Sequence, residues 1–175
     1  MRLFNRFGVA LMGVILMGFI LGCQNNPLSP PIQEEAGSFR LAKASPEVLG
    51  LAKGSLKMEA VVNSEQGATL KIRNNYIRIP AGALEKDMYL TFTISLTSDH
   101  ELLFQVEGEG VPAGEHIYFQ DGKQSTIAVN KRWLAEAPSI GINVDTHEQY
   151  TVKTTRTHYI FQVPHFTAYG WGITD

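Results

Sequence analysis

The chain has 175 residues, a formal charge of −2, an apolar fraction of 44% and a single cysteine, Cys23. That length accommodates one domain with a substantial core. The slightly acidic balance excludes the basic footprint of a nucleic-acid binder, and one cysteine excludes any disulfide within the chain.

The N-terminus reads as a targeting segment. Arg2 and Arg6 form a short positive region, and Phe7–Leu21 follows as 15 uninterrupted apolar and glycine residues. A membrane span needs about 20 such residues, so this run fits a signal-peptide core and not a span. It closes on Ile20-Leu21-Gly22-Cys23, which resembles the lipobox of bacterial lipoproteins. An aliphatic residue stands three positions before the cysteine and a small one just before it. Leu21 departs from the commonest pattern, where a small residue is usual. The resemblance implies that Cys23 receives a diacylglycerol, that residues 1–22 are removed, and that the new amino group is acylated. Losing Arg2 and Arg6 leaves 13 Lys and Arg against 17 Asp and Glu, a net charge of −4. The expected attachment to membrane is therefore through lipid on Cys23 and not through surface charge; two or more acyl chains hold stably at about 0.8 kcal/mol per buried CH₂. Gln24 after the cysteine resembles lipoproteins forwarded to an outer membrane, which makes the cell envelope the expected location.

Residues 23–55 are expected to form the lipidated cysteine and a flexible tether. The stretch QNNPLSPPIQEEAGS has three prolines and little that packs, which favours an extended chain. A short helical turn over Pro46–Leu51 is predicted, with Ser45 as its N-cap. Residues 56–175 are the predicted domain. Met58, Ala60 and Val62 alternate, and Asn63–Gly67 turns the chain. Leu70 and Ile72 lead to an Asn74-Asn75 turn, and Ile77 and Ile79 follow. From Met88 to Thr97 the alternation is nearly perfect: Met88, Leu90, Phe92, Ile94 and Leu96 fall on one face, hydroxyl residues on the other. Further short runs lie at Leu103–Glu107, His116–Phe119, Ile127–Val129, Ile140–Val144, Tyr150–Thr154, Tyr159–Val163 and Phe166–Ile173. The one helix candidate beyond residue 56, Asn130–Glu136, is too short for a layer. Eight to ten short strands between turns predict an all-β antiparallel sandwich.

Two stretches carry a family resemblance. Tyr76–Leu84, YIRIPAGAL, is similar to the "IPxGAL" signature of the ZU-five domain, and Val163–Gly170, VPHFTAYG, is similar to its closing "HFSxY" motif. The resemblance spans about Gly67–Ile173 and implies an immunoglobulin-like β-sandwich that binds proteins or serves structure, without catalysis. Thr167 stands where the family has serine. From the residues themselves, Pro80 ends strand pairing, Gly82 permits a conformation closed to other residues, and Ala83 and Leu84 plug an end of the sandwich.

Chemistry is sparse. His100, His116, His147, His158 and His165 lack metal-ligand spacing and read as exposed histidines. Asp99, Glu101, Glu107 and Glu109 lack a calcium-loop pattern and read as solvated charge. No nucleophile elbow, phosphate loop or dinucleotide loop is present, so no cofactor and no metal are expected. Phe161, Phe166, Tyr169 and Trp171 recur at strand period and read as core; the alternative is a carbohydrate platform, using these rings or Trp133, which is expected at the surface. His165, Phe166 and Thr167 also match the order of groups that, in some ZU-five relatives, cleave the chain by an N-to-O acyl shift, which would cut Phe166-Thr167. The expected protein is a lipid-anchored envelope module, not an enzyme, whose partner is an envelope protein or a glycan.

Overall fold

The computed structural model describes residues 38–49, 55–112 and 115–174. The alternating run forms β5 (Met88–Leu96), flanked antiparallel by β2 (Leu56–Val62) and β6 (Leu102–Gly108). Leu90, Phe92 and Ile94 are buried, while Met88 and Leu96 at the strand ends are half-buried. Thr93 departs from the expected solvent face and is buried. It sits mid-sheet with two long side chains, Lys57 and Gln105, as its direct cross-strand neighbours, and such neighbours on one face cover each other.

The first sheet continues through β9 (Ile140–Asn143), β10 (Gln149–Thr151) and β14 (Ala168–Thr174), in the order β10-β9-β14-β6-β5-β2. The second is built from β3 (Ala68–Ile72), β4 (Asn75–Ile79), β8 (Ser125–Asn130), β11 (Lys153–Thr154) and β12 (His158–Val163), in the order β11-β12-β8-β4-β3. A separate pair joins β7 (Ile117–Tyr118) to β13 (His165–Phe166). Phe92, Phe104 and Trp171 of the first sheet share one core with Ile77, Ile127 and Phe161 of the second. The fold is all-β and antiparallel, two sheets enclosing a core.

Two of the chain's crossings between the sheets are tight corners. One is Asn63–Gly67, between β2 and β3, where the Asp87 carboxylate accepts the Ser64 amide, the Ser64 hydroxyl and the Asn63 side-chain amide. The other is Val152, which separates β10 from β11. The run Tyr150–Thr154, expected as one strand, is thus shared between the two sheets, because alternation along one strand does not reveal a change of pairing partner.

Four further expectations are corrected. The tether expected over residues 23–55 is not tether throughout: Phe39–Leu41 forms β1, which pairs with β14, and Ala42, Ala44 and Val48 are buried. The predicted helical turn is present as α1 (Pro46–Leu49) and covers the core with Val48. Short apolar residues interrupted by Pro and Gly read as linker locally; the pairing partner lies more than 100 residues away, at Gly172–Thr174. The hairpin turn between β3 and β4 is Arg73-Asn74, with Arg73 at φ 55°, and not Asn74-Asn75. Asn75 is fully buried in β4, where its side-chain oxygen accepts the Asn130 amide. Asn130–Glu136 holds only a 3₁₀ turn, Lys131–Trp133, capped by the Asn130 side chain. Trp133 is 7% exposed, not a surface ring, since the Ala44–Leu134 bridge and the Ser45 amide bond to the Trp133 carbonyl close over it.

The plug reading of the first motif is borne out: β4 ends at Ile79, Gly82 has φ 67°, and Ala83 and Leu84 are buried. The signal peptide expected over residues 1–22, Cys23 and the proline-rich stretch lie outside the described residues.

Phe92, fully buried at the centre of β5, is expected to cost about 3–5 kcal/mol when truncated to alanine. Thr91→Ala, on the opposite face, is expected to change stability by no more than about 0.5 kcal/mol. Urea unfolding of the two variants checks both; equal effects would mean that the face assignment is wrong.

Candidate functional site

The second motif folds into a buried junction where the chain passes from β12 to β14. Pro164 ends the ladder of β12, and His165-Phe166 turns aside to pair with Tyr118 and Ile117. The Phe119 amide donates to the Pro164 carbonyl at 3.0 Å, and Phe119 and Phe166 meet edge-to-face at 4.6 Å. The ring of Phe166 is in the core. Tyr169, on β14, sends its hydroxyl back to the His165 carbonyl at 2.6 Å and lies 3.1 Å from His165 Nδ1. That bond four residues back along the chain ties the entry of β14 to the preceding turn, as a tyrosine corner does in immunoglobulin-type sandwiches.

His165 is buried and stacked on His116, with ring centroids 4.6 Å apart and planes 18° from parallel. Tyr118 meets the same ring edge-on at 5.2 Å. Its Nε2 lies 3.7 Å from the Glu148 carboxylate, which also accepts the Tyr150 hydroxyl at 2.7 Å. Burial, and then the neighbouring His116, hold the His165 imidazole below its usual range; Glu148 opposes them. Burial pushes the Tyr169 phenol far up, and Tyr150 adds to it. Burial followed by the Glu148 hydrogen bond does the same to Tyr150. Both phenols remain protonated donors at any ordinary pH.

Thr167 lies between β13 and β14 and faces a different partner. Its hydroxyl donates to the Asp145 carboxylate at 2.6 Å. Asp145 stands in a turn whose amides, Asp145 and Thr146, are held by the Asn143 side chain. The Thr167–Asp145 pair lines a cleft of about 400 Å³, floored by Val106 and Ile117 and rimmed by Glu107 and Glu115. The three groups named for the acyl shift are therefore adjacent in the chain, but the hydroxyl of Thr167 is engaged by Asp145, while the ring of His165 faces Tyr169 and Glu148.

Other candidates are spread over the fold. Phe161, Phe166, Tyr169 and Trp171 are all buried, so these rings form core and not an exposed platform. His165 is not an exposed histidine as expected. His158 bonds the Asn74 carbonyl at 2.7 Å, and His147 packs against Phe39. Glu101 is bonded to Thr97, and Glu107 accepts from Gln105. Among the described residues no group of three or more His, Cys, Asp or Glu side chains is placed to hold a metal ion. The partners that sequence reasoning missed are Asp145, Glu148, His116 and Tyr150. Their separation from the motif along the chain hid them; the only local signal was the charged turn Asp145–Glu148.

No protein-family model matches the chain, and searches of the curated proteins and of the solved structures find no match.

The His165 environment gives a signed pH dependence. The unfolded imidazole titrates at about 6.5, and the folded one below that. Between the two values the unfolded state binds more protons, so stability rises with pH there. The contribution is complete above about 6.5 and is lost as pH falls toward the folded value. Urea midpoints should drop between pH ~7.5 and ~5.5, and His165→Gln should flatten that drop. An unchanged slope in the variant would contradict the burial of a neutral His165.

Proposed function

We propose that the chain is a lipid-anchored protein of the bacterial envelope, whose immunoglobulin-like, ZU-five-like sandwich serves as a non-catalytic binding or structural module. The anchored part rests on sequence: positive region, apolar run, Ile20–Gly22 and the lone Cys23 occur in the order that lipidation requires. The non-catalytic part is supported by how the polar groups of the second motif are used. Tyr169 fastens the His165 carbonyl, Thr167 fastens Asp145, and the Phe166 ring fills the core. These contacts close a sandwich end next to the YIRIPAGAL plug, since the Gln120 amide donates to the Ala83 carbonyl and the adjacent Phe119 amide to the Pro164 carbonyl. The likeness to a tyrosine corner supports the immunoglobulin-like reading.

A second reading is favoured by one contact. The short Thr167–Asp145 bond sets a carboxylate against a hydroxyl that could attack the Phe166 carbonyl. It lacks a group assigned to hold the developing oxyanion, and it is the weaker of the two readings.

Lipidation gives the direct test of the first. Cys23→Ser is expected to move the protein from the detergent phase to the aqueous phase in a detergent-partition assay of membranes from the producing cell. Unchanged partitioning would mean that the apolar run, uncleaved, is the anchor.

A further inference from the structure

The corner at Val152 leaves a notch between the sheets. On the second sheet β11 covers only Tyr159 and Ile160 of β12, so Phe161–Val163 runs past the end of its neighbour. On the first sheet β10 pairs with β9 alone. Between β10 and β12 lies a cleft of about 340 Å³, within the size range of small-molecule sites.

Its lining is mixed: Gln124, Gln149, Gln162, Thr126 and Thr151 stand beside Ile160 and Phe161, and the exposed surface is more apolar than polar. Among the described residues, none of these five polar side chains has a hydrogen-bond partner within the protein. The contrast with the acidic cleft is plain, since there Thr167 is bonded to Asp145 and Gln105 to Glu107. An aromatic wall completes the notch: Tyr150 lines it, its ring stacked on Phe161 with planes 12° apart. The Tyr150 hydroxyl is held by Glu148, which fixes the ring. Lys153 is the one charged residue of the lining.

We propose that this cleft binds a neutral saccharide. Amides and hydroxyls donate and accept together, as sugar hydroxyls do, and an aromatic wall receives the apolar C–H face of a sugar ring. A carboxylate or phosphate ligand would call for more than one cation, and a cationic ligand for an acidic wall. The proposal rests on the reading of the domain as a binding module and names the class of ligand it takes. The rings involved are not those of the buried C-terminal run, apart from Phe161, which acts as backing for Tyr150.

The test is calorimetric titration of the full lipidated chain, in a detergent without a sugar headgroup, with the tetrasaccharides of glucose and of N-acetylglucosamine. At least one should bind with a Kd of about 1 mM or tighter. Gln149→Ala and Gln162→Ala, both at exposed positions, should each weaken it by about fivefold or more, a loss of about one hydrogen bond. Thr91→Ala, on the first sheet and outside this cleft, should leave binding within about twofold. No heat from either tetrasaccharide up to ~10 mM, or binding indifferent to both glutamine changes, overturns the proposal. Partitioning of Cys23→Ser reports on the anchor and not on the cleft, so either reading can fail while the other stands.

Discussion

Phe161 meeting Gly141 and Trp171 across the sandwich is the contact on which the rest of the architecture depends. Phe161 comes from the second sheet and Trp171 from the first, and their rings meet edge-to-face at 4.7 Å. The approach requires glycine at 141, because a Cβ there would lie 2.5 Å from the Phe161 ring. From Trp171 the same geometry continues through Phe104 at 6.0 Å to Phe92 at 5.5 Å, and from Phe161 to Tyr169 at 5.9 Å. Each such pair contributes about 0.5–1.5 kcal/mol beyond its buried area. With one cysteine in the chain, no disulfide shares that burden.

Fixing Phe161 on β12 and Trp171 on β14 sets the task of the segment between them. The chain must leave one sheet and enter the other within Pro164–Thr167. It does so by pairing two residues with β7, stacking His165 on His116, and returning the Tyr169 hydroxyl to the His165 carbonyl. The polar residues that resemble a reactive motif are, in this arrangement, the fastening of a sheet-to-sheet crossing. Another crossing, at Val152, leaves a notch whose glutamines and threonines have no internal side-chain partners among the described residues. Function is thus best sought where the sandwich leaves hydrogen-bonding capacity unused.

The legible parts of the fold are those where local pattern and tertiary environment agree. The alternation of β5 and the Pro80–Leu84 plug could be read directly, because pleat and backbone conformation are local properties. Thr93 could not, since its burial is decided by Lys57 and Gln105 on other strands. Phe39–Leu41 reads as linker and becomes a strand only through β14. Asn75 looks like a turn residue and is instead a buried acceptor for Asn130. At the second motif the residues were visible but their partners were not. Asp145 and Glu148 lie about 20 residues upstream, in a turn whose composition signals only solvent exposure.

The proposal that His165-Phe166-Thr167 fastens the fold and performs no reaction is tested most directly by denaturing intact-mass spectrometry of the freshly purified chain. The account predicts one species of full mass, unchanged on standing and, apart from the substitution itself, identical in Thr167→Ala. A species lacking the nine residues Thr167–Asp175, absent from Thr167→Ala, would contradict it and make Asp145 and His165 candidates for the base.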